Sequence, residues 1–149
     1  MPLLYFDDLH LGQQFVSGAH TMTETEIIRF AGEYDPQPFH TDADAARHSL
    51  FRGLVASGWH TGAVTMRLLV TGPMQLAGGV IGVGGELSWP NPVRPGDTLR
   101  VYSEVASMRP SKSRPELGLV AVRSETRNQD GVIVQILVAN LFVPKRPAN

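Results

Sequence analysis

Residues 59–70 read Trp59-His60-Thr61-Gly62-Ala63-Val64-Thr65-Met66-Arg67-Leu68-Leu69-Val70, and the placing of this stretch decides the fold. Ala63, Val64, Met66, Leu68, Leu69 and Val70 make a helix here apolar around most of its circumference, which predicts a buried helix. Downstream, from about residue 76, the period shortens towards that of strands. Gly79 to Trp89 is glycine-rich, with Val80, Ile81, Val83 and Leu87 as its apolar positions. Leu99, Val101 and Val105 alternate with Arg100, Tyr102 and Glu104, the pattern of a half-buried strand. Leu119 to Val122 and the run from Val132 to Val143 follow, separated by Asn128-Gln129-Asp130-Gly131. The Asp-Gly step in that separator is a hairpin signal. One buried helix followed by long antiparallel strands predicts an α+β fold, a sheet wrapped around a helix. Glycines 79, 82, 84 and 85 are expected to let a strand approach that helix closely.

Working back from residue 59, the first helix is signalled by Thr23 and Glu26, a capping box, followed by the apolar positions Ile27, Ile28, Phe30 and Ala31. Asp35-Pro36 ends it, because a residue before proline is pushed away from helical angles. Asp42 to His48 reads as a short polar helix capped at Thr41. At the far end, Pro144 to Asn149 is expected to fray.

The chain has 149 residues with 42% hydrophobic and 18% charged, the balance of one globular domain spanning 1–149. A formal net charge of -1 supplies no field that would draw the protein to nucleic acid or an anionic membrane. Cysteine is absent, which excludes disulfides, a thiolate nucleophile and cysteine-ligated metal. The N-terminal residues carry Asp7 and Asp8 and lack the basic and long apolar regions of a signal peptide. No apolar run reaches the roughly 18 residues of a membrane span, so a cytoplasmic protein is expected.

The chemistry concentrates in Tyr34-Asp35-Pro36-Gln37-Pro38-Phe39-His40-Thr41-Asp42 and in Gly53-Leu54-Val55-Ala56-Ser57-Gly58-Trp59. Two prolines stiffen the backbone on either side of Gln37. A carboxylate and an imidazole five residues apart on such a loop can converge on one water, one group accepting a proton while the other donates. Spacing alone favours the plainer reading, with Asp35 ending a helix and His40 lying on a surface loop. Ser57-Gly58-Trp59 opens the buried helix, where backbone N–H groups are unpaired and carry the positive end of the dipole. Glycine there admits an acyl oxygen to the backbone, as an oxyanion requires; a tight turn into a core helix needs the same residue.

Together these segments resemble the MaoC-like dehydratases, the group that includes (R)-specific enoyl-CoA hydratases. Asp35-Pro36-Gln37-Pro38-Phe39-His40 is similar to that family's hydratase motif. Gly53 to Gly58 resembles the approach to its central helix, and Leu87-Ser88-Trp89 through Pro92-Val93-Arg94-Pro95-Gly96-Asp97 resembles its strand-turn-strand continuation. The resemblance extends from about Phe6 to Val143 and implies a hot-dog fold, an antiparallel sheet around a long central helix. It implies that Asp35 and His40 are the catalytic pair that activates water, with acid and base not distinguished. It implies that the Gly58 N–H binds the thioester carbonyl, and that Ser57, Gln37, Phe39 and Trp59 complete the oxyanion and substrate-binding set. Gln37 departs from the family pattern, which has asparagine there. A hydroxyl from the central helix is also implied, from Thr61 or Thr65.

The implied activity is that of a lyase of fatty acid metabolism: reversible addition of water to a trans-2-enoyl-CoA, or enoyl carrier-protein, to give the (R)-3-hydroxyacyl thioester. A homodimer or larger homo-oligomer is implied as well. The rivals are a hot-dog acyl-CoA thioesterase and a non-catalytic acyl-thioester-binding subunit. The first calls for a carboxylate on the buried helix, and residues 59–70 contain no Asp or Glu. The five histidines show no ligand spacing, so neither metal nor other cofactor is expected. Gly79 to Gly85 lacks the nucleotide-loop pattern and leads into no helix. Arg109, Lys112 and Arg114 fit the phosphates of a carrier, but a proline- and serine-rich connection is expected to be solvated. Trp59 and Trp89 fit an acyl pocket or the core, and the usual burial of tryptophan favours the core.

Overall fold

A short 3-10 turn at Phe6–Asp8 leads into the first strand, β1 (Gln14–Thr21), and four helices follow: α1 (Glu24–Tyr34), α2 (Pro38–Thr41), α3 (Ala43–Arg47) and α4 (Gly58–Thr71). Four more strands complete the chain, β2 (Ile81–Ser88), β3 (Thr98–Pro110), β4 (Leu117–Arg127) and β5 (Ile133–Pro144). The structure is a computed structural model and describes residues 2–148. The five strands form one sheet in the order β1-β3-β4-β5-β2, with every neighbouring pair antiparallel.

The helix boundaries follow from local chemistry. Thr23 Oγ1 accepts from the Glu26 N–H while Glu26 accepts from the Thr23 N–H, so both halves of the capping box close. At the other end Asp35 is the C-cap, its N–H bonded to the Ala31 carbonyl at 2.8 Å. The next helical segment differs from expectation. Pro38 starts α2, which stops at Thr41; there the Thr41 hydroxyl donates to the Gln37 carbonyl. Asp42, not Thr41, caps α3, accepting from Asp44 and Ala45. Ser57 caps α4 through the Trp59 N–H.

Alternation places one face of the sheet in the core. Leu99, Val101 and Val105 of β3, Val120 and Val122 of β4, and Leu141 and Val143 of β5 are buried together with Val64, Leu68 and Leu69 of α4. Each such side chain contributes about 1.5–3 kcal/mol on burial, which is why α4 lies against this face. The β4–β5 hairpin turns at Asn128–Gly131, with Gly131 at φ +76° and its N–H on the Asn128 carbonyl.

Three expectations are corrected. The helix α4 is not covered all round: Trp59, Ala63, Met66 and Val70 form an exposed stripe. The glycine-rich strand β2 does not press on α4; all eight of its residues are exposed, and Gly85 instead lies against the Val138 backbone of β5. The segment after β5 is tied down rather than frayed. Pro144 belongs to the strand, the Lys145 N–H bonds Glu116, and Arg146 reaches Asp7, Asp8 and the Tyr5 ring. Asn149 lies outside the described residues.

Candidate active site

The end of α1, the turn into α2 and the N-terminus of α4 meet at one point. His40, in the short helix α2, donates from Nδ1 to the Val55 carbonyl at 2.7 Å, and the Val55 N–H bonds back to the Phe39 carbonyl. That exchange clamps the 35–42 loop to the strand-like approach to α4. It also fixes the imidazole: with Nδ1 committed as donor, Nε2 points at Asp35 Oδ2, 3.2 Å away. Both atoms are acceptors unless a proton lies on one of them, so the contact is a hydrogen bond only when one of the two carries a proton.

Asp35 is enclosed by donors. Ser57 Oγ donates to Oδ2 at 2.7 Å, and Gln37 Nε2 donates to Oδ1 at 2.6 Å. Burial by itself raises the carboxyl pKa, but the hydrogen bonds from Gln37 and Ser57, with the charge and hydrogen bond of His40, outweigh it and hold Asp35 below the ordinary carboxylate value. The longer amide at residue 37 therefore reaches the carboxylate directly.

His40, Gln37, Gly58 and Thr61 open onto a cavity of about 330 Å³ whose other walls are mainly apolar, among them Phe39, Phe51, Val93 and Val134. Gly58, as the first residue of α4, leaves its N–H without a partner inside the helix, where the dipole favours an anionic oxygen. Of the two threonines, Thr61 lines the cavity, whereas Thr65 faces away from it and bonds Thr126 and Gln135. Phe39 packs edge-on to His40 and against Phe51. Trp59 stands outside the cavity, 62% exposed, with its ring edge-on to Trp89 at 5.2 Å. Trp89 is a wall of the cavity and 41% exposed, so neither tryptophan is a core residue.

The arrangement suits proton transfer to and from a small bound molecule, with a backbone donor placed to take negative charge. Among the described residues no three His, Asp or Glu side chains gather as a metal site. The basic residues singled out in the sequence lie elsewhere: Arg109 is within β3 rather than in a connection, and Arg114 pairs with Glu116. Phe51 and Val134 join the cavity from outside the segments that carried the resemblance, and Trp89 and Asn91 join it from the strand-turn-strand segment.

The profile of the MaoC-like domain family matches residues 10–128. The chain belongs to the MaoC-like family. It is 55% identical to the MaoC-like dehydratase from Rhodospirillum rubrum, whose structure it matches with a TM-score of 0.95 over 97% of this chain and 99% of that one. It is also 35% identical over 112 residues to an (R)-specific enoyl-CoA hydratase of Rhodospirillum rubrum, covering 74% of this chain and 75% of the relative. A third relative, "Uncharacterized protein YdeM" of Bacillus subtilis, is 34% identical over 132 residues, 86% of this chain and 90% of that one. The sheet-around-helix architecture of this MaoC-like protein is the hot-dog fold, as the motif resemblance implied. No helix among its described residues is long and apolar enough to cross a membrane.

Proposed function

We propose that this MaoC-like protein hydrates trans-2-enoyl thioesters to (R)-3-hydroxyacyl thioesters and catalyses the reverse dehydration. The observation that carries this reading is the Asp35–His40 pair at 3.2 Å, whose His40 lines the same cavity as Gly58 at the N-terminus of α4. The thioester carbonyl sits at the Gly58 N–H, where polarisation makes C3 electrophilic and the developing enolate is stabilised. A removed oxyanion donor costs about 2.7–4 kcal/mol in such sites. A water at the cavity beside the pair is held by both Asp35 and His40. Its oxygen bonds C3 as its proton passes to the Asp35 carboxylate, and the proton on His40 Nε2 goes to C2. Transfer from Asp35 to Nε2 then restores the pair, so one water is consumed and no other reactant is needed. The Ser57 and Gln37 donors keep Asp35 ionised, and the Val55 carbonyl holds the Nδ1–H and turns Nε2 toward the reaction. Thr61 supplies the hydroxyl at the cavity wall.

A homodimer accompanies this reading. The strand β2 ends the sheet with a free edge, exposes Ile81, Val83 and Leu87, and continues into Trp89 beside Trp59 of the exposed α4 stripe. A free edge joined to an apolar stripe marks an association surface. Incubation with a trans-2-enoyl-CoA is expected to yield the (R)-3-hydroxyacyl-CoA, resolved by chiral chromatography. Release of free coenzyme A thiol without hydroxyacyl product would assign thioester hydrolysis instead.

A further inference from the structure

The indole of Trp89 lies directly on Gly58: a methyl group built there would stand 2.6–2.8 Å from three of its ring atoms. Trp89 therefore occupies the space beside the N–H that receives the thioester carbonyl. Its position is not left to packing alone. The indole N–H donates to Gln135 Oε1 at 2.9 Å, and Gln135 Nε2 donates to Thr65 Oγ1 at 3.0 Å. Thr65 in turn is 2.6 Å from Thr126 Oγ1. Gln135, Thr65 and Thr126 are all fully buried. Indole is a donor only, so Gln135 must present its oxygen to Trp89 and its nitrogen to Thr65. A chain of polar groups through a core is costly unless every member is satisfied; here it runs from strands β4 and β5 through helix α4 and terminates on one ring.

From this we propose that Trp89 limits the length of the acyl group and that Gln135 is the positioning residue that holds it, making this a short-chain enzyme whose best substrates are thioesters of about four carbons. The inference rests on the hydratase reading and adds the substrate class. The cavity supports it: about 330 Å³ is at the low end of the roughly 300–1,000 Å³ of small-molecule sites, and it must also admit the thioester end. Phe39, Phe51 and Val134 also line it. One methylene too many in an apolar pocket changes kcat/KM by roughly 10–200-fold.

The test compares trans-2-enoyl-CoA thioesters of four, six and eight carbons with the wild type, Trp89→Ala and Gln135→Met, each confirmed as folded by circular dichroism. For the wild type, kcat/KM is expected to fall about tenfold or more between four and eight carbons. Trp89→Ala is expected to flatten or reverse that order. Gln135→Met retains the ring but frees it, and is expected to raise KM for the four-carbon substrate more than it lowers kcat, a split that mere loss of stability would not give. The same order in the wild type and Trp89→Ala overturns the proposal. Binding of saturated butyryl-CoA and octanoyl-CoA, followed by calorimetry, separates this claim from the hydratase reading. If no enoyl thioester turns over, that reading fails, while preference for butyryl-CoA that disappears in Trp89→Ala still supports the length limit. Equal binding of the two by the wild type overturns it.

Discussion

Oδ2 of Asp35 lies 3.2 Å from Nε2 of His40 and accepts the Ser57 hydroxyl at 2.7 Å as well. Two segments distant in the sequence thus converge on one oxygen: the end of α1 and the helix α2 supply the pair, and the cap of α4 supplies a donor that helps hold the carboxyl pKa down. The Asp35–His40 pair and the start of the central helix are linked through Ser57.

Ser57→Ala tests that link. Asp35 is held below its ordinary pKa partly by the Ser57 hydroxyl, so it stays ionised to lower pH than an unassisted carboxylate. Removing the donor raises its pKa, and the acidic limb of the kcat/KM profile is expected to move to higher pH. Loss of the N-cap costs about 1 kcal/mol, seen in a denaturant melt. An unmoved limb would contradict the role given to Ser57.

Gly58→Ala places a methyl group where the Trp89 ring lies. Overpacking of this kind costs about 1–3 kcal/mol. Combining it with Trp89→Ala removes the clash, so stability measured by urea unfolding is expected to be strongly non-additive. Additive losses would show that the two residues are not in contact.

His60 gives the fold a pH sensitivity of its own. The ring is buried, stacks on Phe30 with centroids 4.6 Å apart, and leaves Nδ1 without a partner. Burial pushes its pKa below 6.5; the charges of His20 and Arg29 act the same way, and Glu26 opposes them. As pH falls below about 6.5 the unfolded chain binds a proton that folded His60 resists, so stability declines in that window. His60→Phe is expected to flatten the dependence of Tm on pH there. An unchanged slope would place the acid sensitivity elsewhere.

Met66→Glu puts a charge in the exposed α4 stripe. Sedimentation is expected to show a dimer for the wild type and a monomer for the variant, because an unpaired charge is costly in an apolar interface. A monomeric wild type would contradict the association surface assigned to α4 and β2.

Much of the architecture was legible where local chemistry decides it. The Thr23–Glu26 box, the period-two run of β3, the apolar runs of β4 and β5 and the Asp130-Gly131 turn each concern residues a few positions apart. The cap at residue 41 was misread because Thr41 and Asp42 are both good acceptors, and the choice depends on Pro38 having started a separate turn. The exposure of β2 and of the Trp59–Val70 stripe was not legible, because a buried and an exposed apolar face have the same composition. The Asp35–His40 pair was visible as a motif, whereas the bond from Gln37 to Asp35 and the choice of Thr61 over Thr65 depend on side-chain directions. Trp89 stood within the strand-turn-strand resemblance, but its place on Gly58 comes from a contact across 31 residues.

The central claim is that Asp35 takes part in adding water to an enoyl thioester, and the ultraviolet absorbance of the conjugated enoyl group tests it most directly. A short trans-2-enoyl-CoA is followed with wild type and with Asp35→Asn, the fold of each checked by circular dichroism. The account predicts loss of the absorbance with wild type and a rate roughly 10²–10⁴-fold lower with the variant. Equal rates for the two proteins, or a persistent enoyl signal with wild type, would contradict it.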